Sequence, residues 1–311
     1  ALILAGFWNY ARRGWPISIY IKDRFYIFIR YYLASTLLSY GIIKLFVMQM
    51  PLPQANQLIE PIGDLSPMGL AWIFIGASPL YQMFAGLSEC FAGFLLFWRR
   101  TTLLGAIFSV GVLINIVILN LSYDIPVKLF SLHLLFYSCI LILPQLARLS
   151  AVILLNLPAQ PSILFPVRSR PGAGKIAAAI FKFLFIINTI FMGVYQTYTN
   201  YKEFHGNKLQ SNLAGLYRVS DFTLEGTTDR ALPDDQRWVL VGISDNGKIG
   251  VKTASGRYIR YRYETNPEFT QLKLTLRDTD PSLTPSFTFT QPSHDALILK
   301  GTIGQKPASF T

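Results

Sequence analysis

Five long apolar runs fill the first two thirds of the chain, and short alternating apolar–polar runs fill the last third. A helix needs roughly 20 apolar residues to cross a bilayer core. Runs of that order are expected at about Phe25–Met48, Leu80–Trp98, Thr102–Leu121, Val127–Leu146 and Ile176–Tyr195. A shorter run from Leu70 to Ile75 predicts a helix that lies on the membrane surface or re-enters it. Pro51 and Pro53 end the first span, and the Pro171-Gly172 break precedes the last. Ala1 to Trp8 is apolar but too short to span and reads as the end of a helix whose first half is missing.

Beyond a polar linker, seven short runs read as strands: Gly215–Phe222, Trp238–Ile243, Ile249–Thr253, Tyr258–Tyr263, Leu272–Leu276, Phe287–Thr290 and Ala296–Leu299. Asp245-Asn246-Gly247 between two of them is a hairpin turn signal. The pattern predicts a membrane α-helical bundle followed by an all-β domain, lipocalin-like or a small open barrel. The expected divisions are 1–24, a helix end and basic connector; 25–149, the bundle; 150–175, an interfacial connector; 176–197, an additional span; 198–212, a linker; and 213–311, the β domain.

Composition supports the membrane assignment, since 51% of residues are apolar and only 14% charged, against roughly 25% charged in a soluble domain. The net charge of +11 is uneven: residues 1–205 hold 15 Lys and Arg against 6 Asp and Glu. Excess positive charge in a membrane part marks cytoplasmic loops rather than nucleic-acid binding. Three basic stretches recur after every second crossing: Arg12, Arg13, Lys22 and Arg24; Arg99 and Arg100; then Arg148, Arg168, Arg170 and Lys175. They orient the chain with the loop around Asp64, the turn at Asp124 and the β domain on the outer side. Cys90 and Cys139 lie in apolar runs without C-x-x-C spacing and read as small core residues.

The segment from Arg99 to His133 concentrates the candidate chemistry. Polar groups inside apolar spans are costly and tend to mark function. At about 1.5 Å rise per residue, Glu89 lies about 12 Å below Tyr81, Asn115 about 10 Å below Ser122 and His133 about 9 Å below Val127. These three form a layer in three successive spans, with Lys44, Gln82, Asn120, Asp124 and Lys128 ringing a mouth above. The layer reads either as interhelical hydrogen bonding or as an outward-facing pocket for a small polar or amphipathic ligand such as a quinone head group. A carboxylate at Glu89's depth must be protonated, paired or facing water. Arg30 and Lys44, about 21 Å apart along one helix, read as side chains snorkelling to opposite interfaces.

Several chemistries are excluded. The one membrane His precludes a bis-His haem held by this chain alone. No metal is implied, since neither H-E-x-x-H nor paired zinc-ligand spacing occurs, and P-loop and Gly-x-Ser-x-Gly motifs are absent too.

At Tyr40-Gly41-Ile42-Ile43-Lys44, Glu89-Cys90-Phe91-Ala92-Gly93, Ser66-Pro67-Met68-Gly69-Leu70 and Tyr123-Asp124-Ile125-Pro126-Val127-Lys128 the chain resembles the DoxX/DoxD-like bacterial inner-membrane proteins. The longer DoxX-type members with a C-terminal β domain are the nearest in pattern, and Leu216-Tyr217 and Arg237-Trp238 extend the likeness. The resemblance implies a four-helix membrane unit and, through DoxD-like members, a link to thiosulfate:quinone oxidoreduction; it supplies no catalytic residues. Three functions follow. The first is an accessory or structural membrane subunit whose outer β domain binds a partner or ligand. The second is a quinone-linked redox subunit, with quinone as its cofactor. The third is a small-solute transporter, disfavoured because no repeat is evident. Expected partners are the lipid bilayer and other membrane subunits, and no nucleic acid.

Overall fold

A computed structural model describes residues 17–158, 172–205, 213–228, 231–265, 271–276, 286–293, 296–303 and 306–311. The expectations for Ala1–Trp8, for Arg12 and Arg13, for Arg168 and Arg170, and for 206–212 of the linker lie outside these residues; 198–205, also expected as linker, instead continue the last helix. The chain divides into two units. One comprises Ala1–Met50 and Pro79–Thr197, the other Pro51–Ser78 and Tyr198–Thr311.

The first unit is helical. Helix α1 (Ile17–Leu45) starts within the stretch expected to be a connector, and helices α4 (Pro79–Leu96), α5 (Thr102–Ser122) and α6 (Lys128–Ile142) follow after the Pro51–Ser78 segment. Successive neighbours pack together, and α1 also meets α6, so the four close into a bundle. Short turns make such neighbours antiparallel. Leu33, Ala34, Leu37, Ala92, Leu96, Phe97, Ala106, Leu113, Leu134 and Leu141 form its core. Pro144 interrupts α6 in a 3-10 turn, Leu143–Gln145, after which the chain continues as α7 (Leu146–Ile153). Helix α8 (Gly172–His205) places Phe185 against Tyr31 and Phe97, while most of its large apolar residues stay exposed. Among the described residues, four helices are long and apolar enough to cross a membrane, or up to five when the bent pair Pro67–Gly76 and Pro79–Leu96 counts as one span. An exposed apolar surface on such helices is what a lipid environment demands.

The second unit contains the β domain and, unexpectedly, the whole connector between α1 and α4. The connector holds helix α2 (Ala55–Leu58), a 3-10 turn at Ile62–Asp64 and helix α3 (Pro67–Gly76). Ser66 caps α3 by accepting from the Gly69 N–H at 3.1 Å, with Pro67 in the first turn.

Ten strands follow: β1 (Gly215–Arg218), β2 (Phe222–Leu224), β3 (Thr227–Thr228), β4 (Trp238–Ile243), β5 (Lys248–Thr253), β6 (Tyr258–Thr265), β7 (Gln271–Leu276), β8 (Ser286–Ser293), β9 (Ala296–Ile303) and β10 (Lys306–Phe310). All described pairings are antiparallel, in the order β1-β4-β5-β6-β7-β8-β9-β10-β2-β3. The expected hairpin is present between β4 and β5, where Gly247 takes a φ of +78°, a conformation open to glycine. The run expected as one strand, Gly215–Phe222, is two. Val219 N–H bonds to Val239 O, whereas Ser220 N–H bonds to Thr311 O, so the chain switches partners between these residues. The ladder keeps two ends, β1 and β3, and is not a closed barrel. Its core holds Phe222, Trp238, Tyr261, Tyr263, Phe287 and Phe310, with the Phe222 and Phe310 rings stacked 4.6 Å apart.

Candidate functional site

Among the described residues of the helical unit, one ion pair is buried, at the seam between α1 and α4. Lys44 Nζ donates to Glu89 Oε1, and Glu89 is only 1% exposed. Glu89 Oε2 is buried without a hydrogen-bond partner. Small residues bring the two backbones together here. A Cβ added at Gly41 would lie 2.7 Å from Gly86 O, and one at Gly86 would lie 2.7 Å from Gly41 O and 2.9 Å from Lys44 Cβ. Close approach of this kind is how helices associate where solvent supplies no hydrophobic drive. Gln82, fully buried, accepts from Met50 N–H at 3.0 Å and donates to Met50 O at 2.7 Å. It thereby satisfies the backbone just past the end of α1.

The other expected residues separate from this cluster. Asn120 Nδ2 donates to Ser131 Oγ at 3.0 Å between α5 and α6. Asp124 and Lys128 form an exposed ion pair in the turn joining those helices, and the Lys128 hydrogen bond pulls the Asp124 carboxyl below the usual carboxylate range. Asn115 and His133 are exposed, and His133 Nδ1 bonds within its own helix to Leu129 O at 2.7 Å. The eight residues therefore occupy three places: the α1–α4 seam for Lys44, Gln82 and Glu89, the α5–α6 junction for Asn120, Asp124 and Lys128, and outward helix faces for Asn115 and His133. Cys139 is exposed and Cys90 half-buried; both are free, and neither is the fully buried residue expected. Among the described residues, no group of three His, Cys, Asp or Glu side chains is placed to hold a metal ion.

The second unit contains a site that the sequence reading did not find. Helix α2 lies against β4 and β5. Asn56 N–H donates to Ser244 Oγ at 3.1 Å, and Ser244 Oγ donates to Asn56 Oδ1 at 2.5 Å. Tyr258 Oη donates to Asn56 O at 2.7 Å, and burial pushes its hydroxyl up to about 12. Arg260 pairs with Glu60 and donates to Asp64 O at 2.9 Å, and the Glu60 hydrogen bond raises the Arg260 guanidinium above its ordinary value. Gly242 and Gly250 face each other in the register of β4 and β5. A Cβ at Gly242 would fall against the Ala55 and Asn56 backbone, and one at Gly250 would strike the Tyr258 ring. Glycine inside a strand marks a close backbone approach, so Gly242 and Gly250 were the available signal.

No protein-family model matches the chain, and no solved structure does. The chain is similar to the uncharacterised protein YwoB of Bacillus subtilis (strain 168), 32% identical over 116 residues that make up 37% of this chain and 71% of YwoB. The chain belongs to the YwoB family. Membership in the YwoB family establishes kinship over that part and carries no activity with it. What the site can do must come from its own chemistry: an ion pair that joins two helices, and a polar latch that joins a connector to a sheet.

Proposed function

We propose that this protein is an accessory membrane subunit whose helical bundle carries an outer β domain for binding a partner or ligand. The observation that carries the reading is the latch of the α1–α4 connector on β4, β5 and β6. A domain tethered only after α8 would move freely over the length of its linker. Here it is also gripped by a segment whose two ends run covalently into membrane helices, so its effective concentration at one membrane face is high. The lipocalin-like open-barrel reading fits the up-and-down strand order and the partner switch between β1 and β2.

The latch also supports a topology. The connector and the β domain must share one side of the membrane, which requires an even number of crossings between them. Helices α4, α5, α6 and α8 supply four, so α4 counts as a span. The basic stretches at Arg99-Arg100, Arg148 and Lys175 then lie inside, and the β domain lies on the outer face of a bacterial inner membrane. Asn115 and His133, polar on outward faces, suit contact with a partner helix. The DoxX-like assignment agrees with the four-helix unit. The quinone-linked alternative gains less, because Glu89 is engaged by Lys44 and His133 by its own helix.

Cysteine labelling tests the proposal in a background carrying Cys90→Ala and Cys139→Ala. Reporter cysteines at Asp64 and Asp245 should react with an impermeant reagent from outside, and one at Arg100 only after lysis. Labelling of Asp64 and Asp245 from opposite sides would overturn it. Cross-linking through Asn115→Cys should then capture another membrane protein.

A further inference from the structure

Arg30, in the membrane-spanning part of α1, pairs with no carboxylate among the described residues. It is only 5% exposed, and its Nε and Nη1 are buried without hydrogen-bond partners. The sequence of the helical unit contains three carboxylates, Asp23, Glu89 and Asp124. Each is engaged by another cation: Asp23 by Arg99 at 2.9 Å, Glu89 by Lys44 and Asp124 by Lys128. A buried charge without a partner costs several kcal/mol even after relaxation, so a bound anion would remove a standing penalty.

Two further cations stand close enough to act on Arg30 electrostatically, Arg99 and Lys182. A continuous set of rings joins them. The Arg30 guanidinium lies 5.3 Å from the Tyr31 ring centre, Tyr31 meets Phe97 edge-on at 5.6 Å, Phe97 meets Trp98, and the Lys182 ammonium lies 4.5 Å from the Trp98 ring centre. Phe185 completes this floor against Tyr31 and Phe97. Arg30 follows Arg24 by six residues and Lys182 follows Lys175 by seven, so both lie about 9–10 Å into the span from its basic end. Arg30 is buried there, while Lys182 is half-buried and stands nearer the surface. A guanidinium fork with an ammonium in electrostatic range of it suits the charge of a phosphate.

We propose that Arg30 and Lys182, with Arg99 at the rim, bind a phosphate group presented from the Arg99-Arg100 side of the membrane. The phosphate belongs either to an anionic phospholipid or to a soluble phosphate; both sources use the same contacts.

Native mass spectrometry of the purified full chain with phosphatidylglycerol and with a phosphate-free diglucosyldiacylglycerol tests the lipid source. Thermal unfolding in millimolar inorganic phosphate against chloride tests the soluble one. Wild type should retain phosphatidylglycerol in preference, and Arg30→Gln should reduce that preference about tenfold, the scale of a lost charge-assisted contact. Lys182→Gln, at a half-buried position that no hydrogen bond anchors in the fold, should reduce it several-fold, while Arg30→Lys should keep part of it. No lipid preference, together with a phosphate-dependent rise in Tm that Lys182→Gln abolishes, would identify the soluble source at the same site. Wild-type behaviour of Lys182→Gln in both assays would overturn the proposal, as would the absence of both effects in the wild-type protein.

Discussion

Asn56 and Ser244 hold each other through two hydrogen bonds, 3.1 Å and 2.5 Å long, although 188 positions separate them in the chain. Each residue satisfies the other where water is excluded, since Ser244 is 1% exposed and Asn56 7%.

Removing one side of that exchange should cost more than removing both. Ser244→Ala leaves the Asn56 N–H and Oδ1 buried without their partner, at about 1–3 kcal/mol. Urea unfolding of Ser244→Ala, Asn56→Ala and the double variant should give a coupling energy well above zero. Protease sites between Pro51 and Ser78 should open in the single variants. Additive losses with no new cleavage would mean that the two residues act independently.

The buried ion pair should behave in the same asymmetric way. Lys44→Met or Glu89→Met alone strands a charge and should destabilise the bundle by about 3–5 kcal/mol, while the double replacement recovers most of the loss. Glu89→Lys, which sets two cations together, should be the worst of the set. Detergent unfolding curves decide the matter; wild-type midpoints for the single variants would show that water reaches the pair.

Helix glycines should divide by position. Gly41→Ala or Gly86→Ala forces the α1 and α4 backbones apart and should cost about 1–3 kcal/mol. Gly111, where an added Cβ meets nothing within 4 Å, should tolerate alanine and gain up to about 1 kcal/mol from helix propensity. Equal Tm values for Gly41→Ala and Gly111→Ala would contradict the close approach.

Alkali should unfold the β domain before it ionises the core tyrosines. Burial pushes the Tyr258, Tyr261 and Tyr263 hydroxyls up to about 12 from an ordinary value of 10.0. A raised value means that the native state holds its proton longer than the unfolded chain does. The stabilisation is complete below pH 10.0 and drains away as the pH climbs toward about 12. Phenolate absorbance and circular dichroism followed together should change in one transition; phenolate formation in an intact domain would refute the coupling.

Span positions were legible because an apolar run and its flanking prolines and arginines are local features. Depth along a helix was legible too, which is why Glu89, Asn115 and His133 were grouped. Rotation about the axis decides contact, and depth says nothing of rotation. On α5 the buried positions include Ser109, Leu113, Val117 and Asn120; Asn115 stands two residues after Leu113, about 200° round the helix, and points away. His133 stands in the same relation to Ser131 on α6. Snorkelling was expected of Lys44 and Arg30, yet both are buried; Lys44 meets a carboxylate from the neighbouring helix, and no pattern within α1 could reveal that. Most strands were legible from alternation, but β8 and β9 run four residues longer than expected, β2 was joined to β1, and β3 and β10 were missed. Helix α2 joined the β domain through contacts about 190 residues apart, invisible to any local pattern, and only Gly242 and Gly250 hinted at a visitor.

The strand order sets a timetable for biogenesis. Strand β2 pairs with β10, and Thr223 and Ser309, which share a hydrogen bond across that pair, are 86 positions apart. During synthesis β2 emerges early and waits, with Phe222 lacking the Phe310 ring that will cover it. The connector waits longer still, since it is made long before β4 exists to receive it. Final assembly is therefore deferred until β10 has been synthesised. In that interval the half-built sheet offers open edges to any other strand that meets it.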